Sequence, residues 1–349
     1  MSARTGRVRD FIYRTAWITG LSRLLERRAR RGVTILMYHR VLPRELGDRY
    51  LHGLSVTPDV FGAQLQWLSE HARVVPVSEA LETMGGRATS KGRPIVCVTF
   101  DDGYWDNAAI AAPLLDAHRM RGTFYITTGF VLRGAMLWFD RAASFWAQDP
   151  VVCAEVLAGS ADRKSVRKPG SFSDWMSLLK DEPEGERVEV LRRVERVLGA
   201  AEWTDLNRPM TVGEARSLAA GGHEIGSHSV SHPILTTVDD GVLPSELRES
   251  GDELRRVLGC PIPGFCYPNG SSDQRVSAAV REAGYAYACT TKAGLNEPST
   301  DLFALRRNHV HQNTVTKADG SHSAPSFAAV VWGLHAQVRR GARRLGIAA

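Results

Sequence analysis

Six short runs along the chain read as strands: Thr34 to Tyr38, Ile95 to Phe100, Thr123 to Thr127, Glu224 to Ser227, Gly264 to Tyr267 and Tyr287 to Thr290. Ile95 to Phe100 is the clearest, an apolar, β-branched run of the length of a strand buried on both faces. Between and around these runs, apolar positions recur at helical spacing in Pro58 to His71, Ser78 to Met84, Asn107 to His118, Val212 to Ala220, Pro244 to Leu258 and Asp273 to Ala283. Ser78 and Asp273 are residue types that suit a helix N-cap, and Gly221-Gly222, Gly259 and Gly284 are stop signals. Strands alternating with helices predict a parallel α/β architecture.

Residues 132 to 208 break the alternation. They hold Trp138-Phe139-Asp140, a charged stretch from Asp162 to Lys168 and a helical run from Gly185 to Leu198. This pattern predicts an insertion between the third strand and the helix before His223, of the kind that forms a lid or a substrate wall. Trp138 and Asp140 are its candidate site-lining residues.

The two ends differ from the body in charge. Residues 1–31 carry nine Arg against Asp10 and Glu26, 9 − 2 = +7, and residues 325–349 carry four Arg and no acid, +4. With a net charge of +6 for the whole chain, the remainder is 6 − 11 = −5, so the body is mildly acidic, which speaks against nucleic acid as a partner. Val8 to Leu25 reads as an amphipathic helix with Phe11, Ile12, Ile18, Leu21, Leu24 and Leu25 apolar and Arg14 and Arg23 among its charges. Two readings fit it: a helix lying at the inner face of an anionic membrane, or one packed on the barrel with its arginines in water. The stretch from Phe327 to Val338, ending in Arg pairs, has the same character. Arg14 interrupts any signal-peptide core, and no run of 18 apolar residues is present. Five cysteines without framework spacing argue against a disulfide scaffold. The expectation is a cytoplasmic protein, peripheral at the inner membrane face under the first reading.

The chemistry concentrates in Thr99-Phe100-Asp101-Asp102-Gly103. Adjacent carboxylates at a strand end are a poor structural choice, because like charge raises the pKa of one of them. A cation removes the objection: one carboxylate binds it and the other stays free as a base. His228-Ser229-Val230-Ser231-His232 places two imidazoles four residues apart, on one face if the segment is a helical turn. Asp102, His228 and His232 would then supply three metal ligands and leave a position open, as catalytic zinc sites do. His223-Glu224 with His228 imitates a metalloprotease motif, but the spacing is five rather than four and Glu224 to Ser227 reads as strand, so His223 is read as structural.

TFDDG followed by HSxxH, with Leu36-Met37-Tyr38-His39-Arg40-Val41 before them and Phe265-Cys266-Tyr267-Pro268-Asn269-Gly270 after, resembles the polysaccharide deacetylase family, the NodB-homology domain or carbohydrate esterase family 4, in its YPxG-type branch. The resemblance covers roughly residues 34 to 312. It implies a distorted (β/α) barrel of fewer than eight strands with flanking helices. The chain then divides into a basic amphipathic helix at 1–33, a catalytic domain at 34–320 containing the insertion, and a basic helix at 321–349. The implied activity is metal-dependent hydrolysis of an N-acetyl amide on an amino sugar, in a polysaccharide or a lipid-linked glycan precursor. Zinc is the default ion for this ligand set, with cobalt, nickel and manganese compatible.

By the resemblance, Asp101 is the general base and Asp102 the metal ligand, with reversed roles also open. The oxyanion donor maps to Tyr267 to Gly270, the Asn269 N–H first, and Tyr267, Pro268, His39 and Trp138 are substrate-site candidates. The branch that carries an Arg partner for the base has it where this chain has Cys266, so Arg306 or Arg307 must orient Asp101. The family's late LxH histidine is absent; His309, His311 or His39 stands in as general acid, His309 foremost. Two other readings remain: a deformylase or related amide hydrolase of the same fold, and a non-catalytic glycan- or membrane-binding protein.

Overall fold

A computed structural model describes residues 3–47, 54–85, 92–159, 168–317 and 319–344. Seven strands form one continuous parallel path: β1 Val33–Tyr38, β2 Ile95–Phe100, β3 Thr123–Ile126, β4 Glu224–Ser227, β5 Gly264–Cys266, β6 Tyr287–Cys289 and β7 Asn308–His309. Their order is β7-β1-β2-β3-β4-β5-β6, with the two-residue strand Arg73–Val74 branching beside the start of β2. A bridge from Cys289 to Leu305 extends the sheet past β6, and the chain from Leu305 runs directly into β7. The sheet curls into an incomplete barrel, the distorted (β/α) barrel that the alternation and the resemblance imply.

Parallel strands carry all their C-terminal ends to one side, and this positions the site. β1 and β2 are buried at every residue, because helices cover both faces of such a sheet. Beneath the C-terminal ends, Tyr38 stacks on Phe100 and Phe100 on Phe124, with ring centroids 5.5 and 5.1 Å apart. Each such ring contributes about 2 kcal/mol of burial, and together they give the strand ends a rigid floor. The helices start where capping groups stand: Thr211 and Glu214 form a reciprocal capping box before Val212–Ala220, and Asp273 accepts from the Val276 amide. Ser78, expected as an N-cap, lies inside Val77–Gly85 instead. Its amide and hydroxyl both donate to Glu224 at the foot of β4.

The insertion is helical. Trp138–Gln148, Pro150–Ala158, Phe172–Asp181 and Glu184–Leu198 pack around buried Trp175, Leu179, Val190, Leu191 and Val194. Of the charged stretch from Asp162 to Lys168, all but Lys168 lies outside the described residues. The insertion returns to the barrel next to the acidic motif, where Met210 N–H donates to the Gly103 carbonyl.

Each end, expected as one helix, is two. Gly20, at a φ of 80°, separates α1 Ala3–Ile18 from α2 Leu21–Ala29, and Gly333, also at 80°, separates Ala324–Val331 from Leu334–Arg344. Left-handed backbone at these points suits glycine and ends a helix. The two ends meet: Tyr13 and Ala16 of α1 pack on Ala329 and Leu334.

Candidate active site

Residues leaving the strand ends build the site. His39 follows β1, Asp101 and Asp102 follow β2, His228 follows β4, Tyr267 follows β5, and His309 closes β7. Ladder bonds continue just beyond the strands and fix the approach: Asp101 N–H donates to the Tyr38 carbonyl at 3.2 Å and His228 N–H to the Ile126 carbonyl at 2.9 Å.

Neighbouring side chains on a strand face opposite ways, yet Asp101 and Asp102 share one site. The strand stops at Phe100, and Asp102 turns into left-handed backbone with a φ of 78°. Ser229 at 67°, His232 at 59° and Asn269 at 57° adopt the same region, so four of the five left-handed non-glycine residues described surround the site. Conformations that cost roughly 1 kcal/mol or more apiece persist where a surrounding structure imposes them.

The pair His228 and His232 is not on a helical turn. It lies in the loop after β4, which its own hydrogen bonds hold: Ser229 Oγ accepts from His232 N–H at 3.1 Å, and Glu246 accepts from the Val230 and Ser231 amides. The loop brings the two rings to 4.8 Å between centroids, near perpendicular. Ser229 thus orients a ligand loop.

Asp102 Oδ1 lies 3.4 Å from His228 Nε2 and 3.3 Å from His232 Nε2, and all three residues are buried. Tetrahedral ligands on zinc bonds of about 2.0–2.1 Å stand about 3.3 Å apart, so the spacing fits such an ion. The proton placement fits as well. His228 Nδ1 sits 2.7 Å from the Cys266 carbonyl, an oxygen that only accepts, so Nδ1 donates. In the neutral ring, Nε2 then turns its lone pair on a carboxylate, an arrangement a cation between them makes favourable. Burial pushes Asp102 up, but the two imidazoles facing it more than offset this and hold it well below the usual carboxylate range. A second cluster, Asp101, His228 and Cys266, is equally compact but is a poorer ligand set. Both Asp101 oxygens are committed elsewhere, and burial pushes the Cys266 thiol well up.

Asp101 is clamped by Arg307. Nη1 and Nη2 donate to its two oxygens at 2.6 and 2.7 Å, and both side chains are buried. The guanidinium is itself held by the Thr290 carbonyl at 3.0 Å, Thr99 Oγ1 at 3.2 Å and Cys266 Sγ at 3.0 Å. Burial raises the Asp101 pKa and Arg307 lowers it, with the net held below the ordinary value. Of the two arginines the sequence leaves open, Arg307 therefore meets Asp101. Arg306 is exposed and turns toward Gly294.

Three histidines line up beside Asp101. His39 Nε2 is 3.8 Å from Asp101 Oδ2, the His39 and His309 rings are 5.7 Å apart, and His309 and His311 are 5.1 Å apart. Buried His309 Nε2 and His39 Nδ1 have no hydrogen-bond partner. Burial lowers the pKa of His39, and burial followed by the His39 charge lowers that of His309 well below the usual value. His311 Nε2 is engaged by Thr314 at 2.5 Å.

Other candidates do not bring side chains to the reacting region. Tyr267 is fully buried and donates to the Phe303 carbonyl at 3.0 Å, because its ring completes the core with Phe265. Pro268 is buried beside it, so this turn presents Asn269, which is exposed. Trp138 stands behind the loop that carries His228 and His232. Its indole N–H donates to the His232 carbonyl at 3.0 Å and its ring lies under Arg187, while Phe139 meets the His232 ring edge-on at 5.0 Å. His223 lies at the opposite end of β4, where Nδ1 accepts from Gly122 N–H.

Asp140 does reach the site. With His39, Arg40, Asp102, Tyr104 and Asn207 it lines a small recess. Tyr104 OH donates to it at 2.8 Å, and burial pushes its carboxyl up to about 7. Sequence reading missed the pair behind it, Arg40 donating to Asp106 at 2.7 Å. Arg40 follows His39 directly, and only the folded contact to a residue 66 positions away distinguishes it from a surface arginine.

Residues 196–288 match the family described as polysaccharide deacetylase, a span that includes the His228–His232 loop and the Tyr267–Gly270 turn but not the two aspartates. A gellan lyase from Bacillus sp is 31% identical over 115 residues, covering 33% of this chain and 4% of that protein. This chain therefore spans only a small part of that relative's length. Among solved structures, Streptococcus pyogenes deacetylase PplD in complex with acetate aligns with a TM-score of 0.56 at 19% identity, covering 81% of this chain and 94% of that one. IcaB from Ammonifex degensii aligns at 0.55 and 19%, covering 86% and 97%. At that identity these structures share the fold.

Proposed function

We propose that this chain, a polysaccharide deacetylase by family, is a metal-dependent hydrolase that removes N-acetyl groups from amino sugars of a polysaccharide or a lipid-linked glycan precursor. One observation carries the reading: a carboxylate clamped by Arg307 stands directly beside a second carboxylate that faces two imidazole nitrogens. That arrangement separates two adjacent aspartates into two roles, which is what amide hydrolysis with a bound cation requires. The acetate in the PplD structure supports acetyl as the acyl group removed.

Asp102, His228 and His232 would hold the ion, zinc by default, with cobalt, nickel or manganese compatible with the same donors. Such an ion supplies Lewis acidity, polarising an acyl oxygen and lowering the pKa of water toward neutrality. Asp101, kept ionised by Arg307, accepts the proton of the attacking water as general base. The bidentate clamp also fixes which way its oxygens face. The Asn269 N–H, on a left-handed turn at the end of β5, is the backbone donor for the developing oxyanion. His309, neutral in the resting site and with a ring nitrogen free of protein partners, passes on to the leaving amine the proton that Asp101 takes from water, and His39 lies between it and the base. Trp138 and Phe139 keep His232 in place from behind. Asp140 and Tyr104 take hydroxyl or amide groups of the sugar in the recess. We place the enzyme in the cytoplasm or at the inner membrane face, on the strength of its basic ends.

The test is metal content measured together with acetate and formate release, on N-acetylhexosamine oligomers and on a lipid-linked N-acetylhexosamine, with and without chelator. About one ion per chain and chelator-sensitive acetate release are expected. Formate release alone would reassign the enzyme as a deformylase. Absence of both metal and acyl release would leave a binding protein on an enzyme's fold.

A further inference from the structure

The hairpin of α1 and α2 shows the solvent a surface that folding does not explain. Its inward side is small: Tyr13 and Ala16 of α1 and Ser22 and Ala29 of α2 are buried. On its outward side Ile18 is 82% exposed, Phe11 70% and Leu24 62%, with Trp17 and Leu21 also exposed. Five of the eleven exposed large hydrophobic side chains described thus fall in the fourteen residues from Phe11 to Leu24, and four of them cluster around the Gly20 turn. A soluble surface scatters such residues singly, and a concentration of them marks a contact.

Charge identifies the contact. Exposed Arg14, Arg23, Arg27 and Arg28 stand among these apolar residues. The two acids of the segment are spent within it, Asp10 on Arg14 at 2.9 Å and Glu26 on Arg30 at 3.1 Å. Apolar groups interleaved with arginine, with a tryptophan at the edge, match the boundary between acyl chains and anionic headgroups. A protein interface core is depleted of charge. A second copy of this chain would set one segment of +7 against another, the wrong sign for pairing.

We propose that the α1–α2 hairpin docks on an anionic lipid bilayer. The start of α1 is tied to the catalytic end of the barrel, and α2 runs to the opposite end, where Arg28 lies 3.6 Å from Glu297 and the chain enters β1 at Val33. Arg9 donates to the Asn313 carbonyl, four residues after His309, and Tyr13 OH meets His335 Nδ1 at 2.6 Å. Seated on a bilayer, the enzyme shares a surface with membrane-borne sugars, which raises their effective concentration. This selects a lipid-borne amino sugar as substrate class. That step rests on the deacetylase reading above; the docking surface does not.

The experiment is co-sedimentation of the full chain with vesicles of phosphatidylcholine alone and of phosphatidylcholine with phosphatidylglycerol, at low and high salt. Binding to the anionic vesicles, weakened by salt and poor on the neutral ones, is expected. Arg23→Gln with Arg27→Gln should weaken it by about 25-fold, fivefold per arginine. Ile18→Gln with Leu24→Gln should weaken it by about tenfold or more. All four are exposed, so folding is unaffected, and acyl release from soluble oligomers should be unchanged in both variants while release from a vesicle-borne sugar falls. Equal sedimentation of variants and parent, equal binding to both vesicle types, or none to either overturns the proposal. So does a dimer in solution that the Ile18/Leu24 variant dissociates, which would give the surface to a second copy. Vesicle binding as described with no acyl release from any sugar would sink the deacetylase reading and leave the docking surface standing.

Discussion

Replacing Arg307 with lysine keeps the positive charge and removes the fork. Arg307 makes five hydrogen bonds through three nitrogens: two to Asp101 and one each to the Thr290 carbonyl, Thr99 Oγ1 and Cys266 Sγ. A lysine has one nitrogen and no means of spanning both carboxylate oxygens. A hydrogen bond to a charged group contributes about 1.5–3 kcal/mol, so losing one oxygen's partner weakens the hold on ionised Asp101 by about 2 kcal/mol. At 1.36 kcal/mol per pKa unit, the Asp101 pKa should rise by about 1.5 units. The sign follows from the parent, in which burial raises this pKa and Arg307 lowers it below the ordinary value. A depressed carboxyl contributes stability that is present above the unfolded pKa and lost as pH falls through the folded one. At neutral pH, Arg307→Lys is therefore less stable by about 2 kcal/mol, and the deficit shrinks toward the acid end. The acid limb of kcat/KM against pH should move up by about one to two units, with metal content unchanged. Melting curves, metal analysis and acetate release across pH measure all three. An acid limb that stays where the parent has it, in a folded variant with full metal, would refute the assignment of Asp101 as the Arg307-held base.

Two further predictions concern the same end of the barrel. Asp101→Asn should keep the metal and lose acetate release by at least about a hundredfold, as loss of a general base does, whereas Asp102→Asn should lose the metal; metal analysis beside activity reads both, and swapped phenotypes would exchange the roles. His311 and His335 titrate at about 4 and about 3, lowered first by burial, against an unfolded value near 6.5. Unfolded chains take up these protons first, so stability is complete above about pH 6.5 and falls below it, by roughly 1–2 kcal/mol per histidine at pH 5; denaturant melts at pH 7 and 5 in His311→Gln and the parent test this, the variant showing the smaller loss.

Much of the barrel is legible in the chain because its strands are buried on both faces. Ile95–Phe100 and Glu224–Ser227 begin and end where local pattern places them, as do the helices Pro58–His71 and Val212–Ala220. β7 escapes local reading because two residues, Asn308 and His309, carry no period; their pairing with Leu36 and Met37 makes them a strand. The ligand set is legible by residue type and spacing, but the way it converges is not. A four-residue spacing suggests a helix, whereas left-handed turns at Ser229 and His232 bring the rings together, and backbone of that kind leaves no mark in a sequence without glycine. Trp138 invites a sugar-stacking reading. Only its bond to the His232 carbonyl and the Arg187 above it turn it into a support. Tyr267 is similar: its ring is needed in the core, which its place in a motif conceals.

The Arg307 clamp on Asp101 also dates the completion of the site. Asp101 and Arg307 are separated by 206 positions, and β1, the first strand, has β7, the last, as its outer neighbour. A chain emerging from synthesis presents the acidic motif early and leaves the outer edge of β1 unpaired until residues 308–309 arrive. Until then Asp101 has no counterion and the edge is open to foreign strands. The site is thus complete only when the last strand closes on the first, so truncated or half-folded copies should carry the motif residues with Asp101 unclamped.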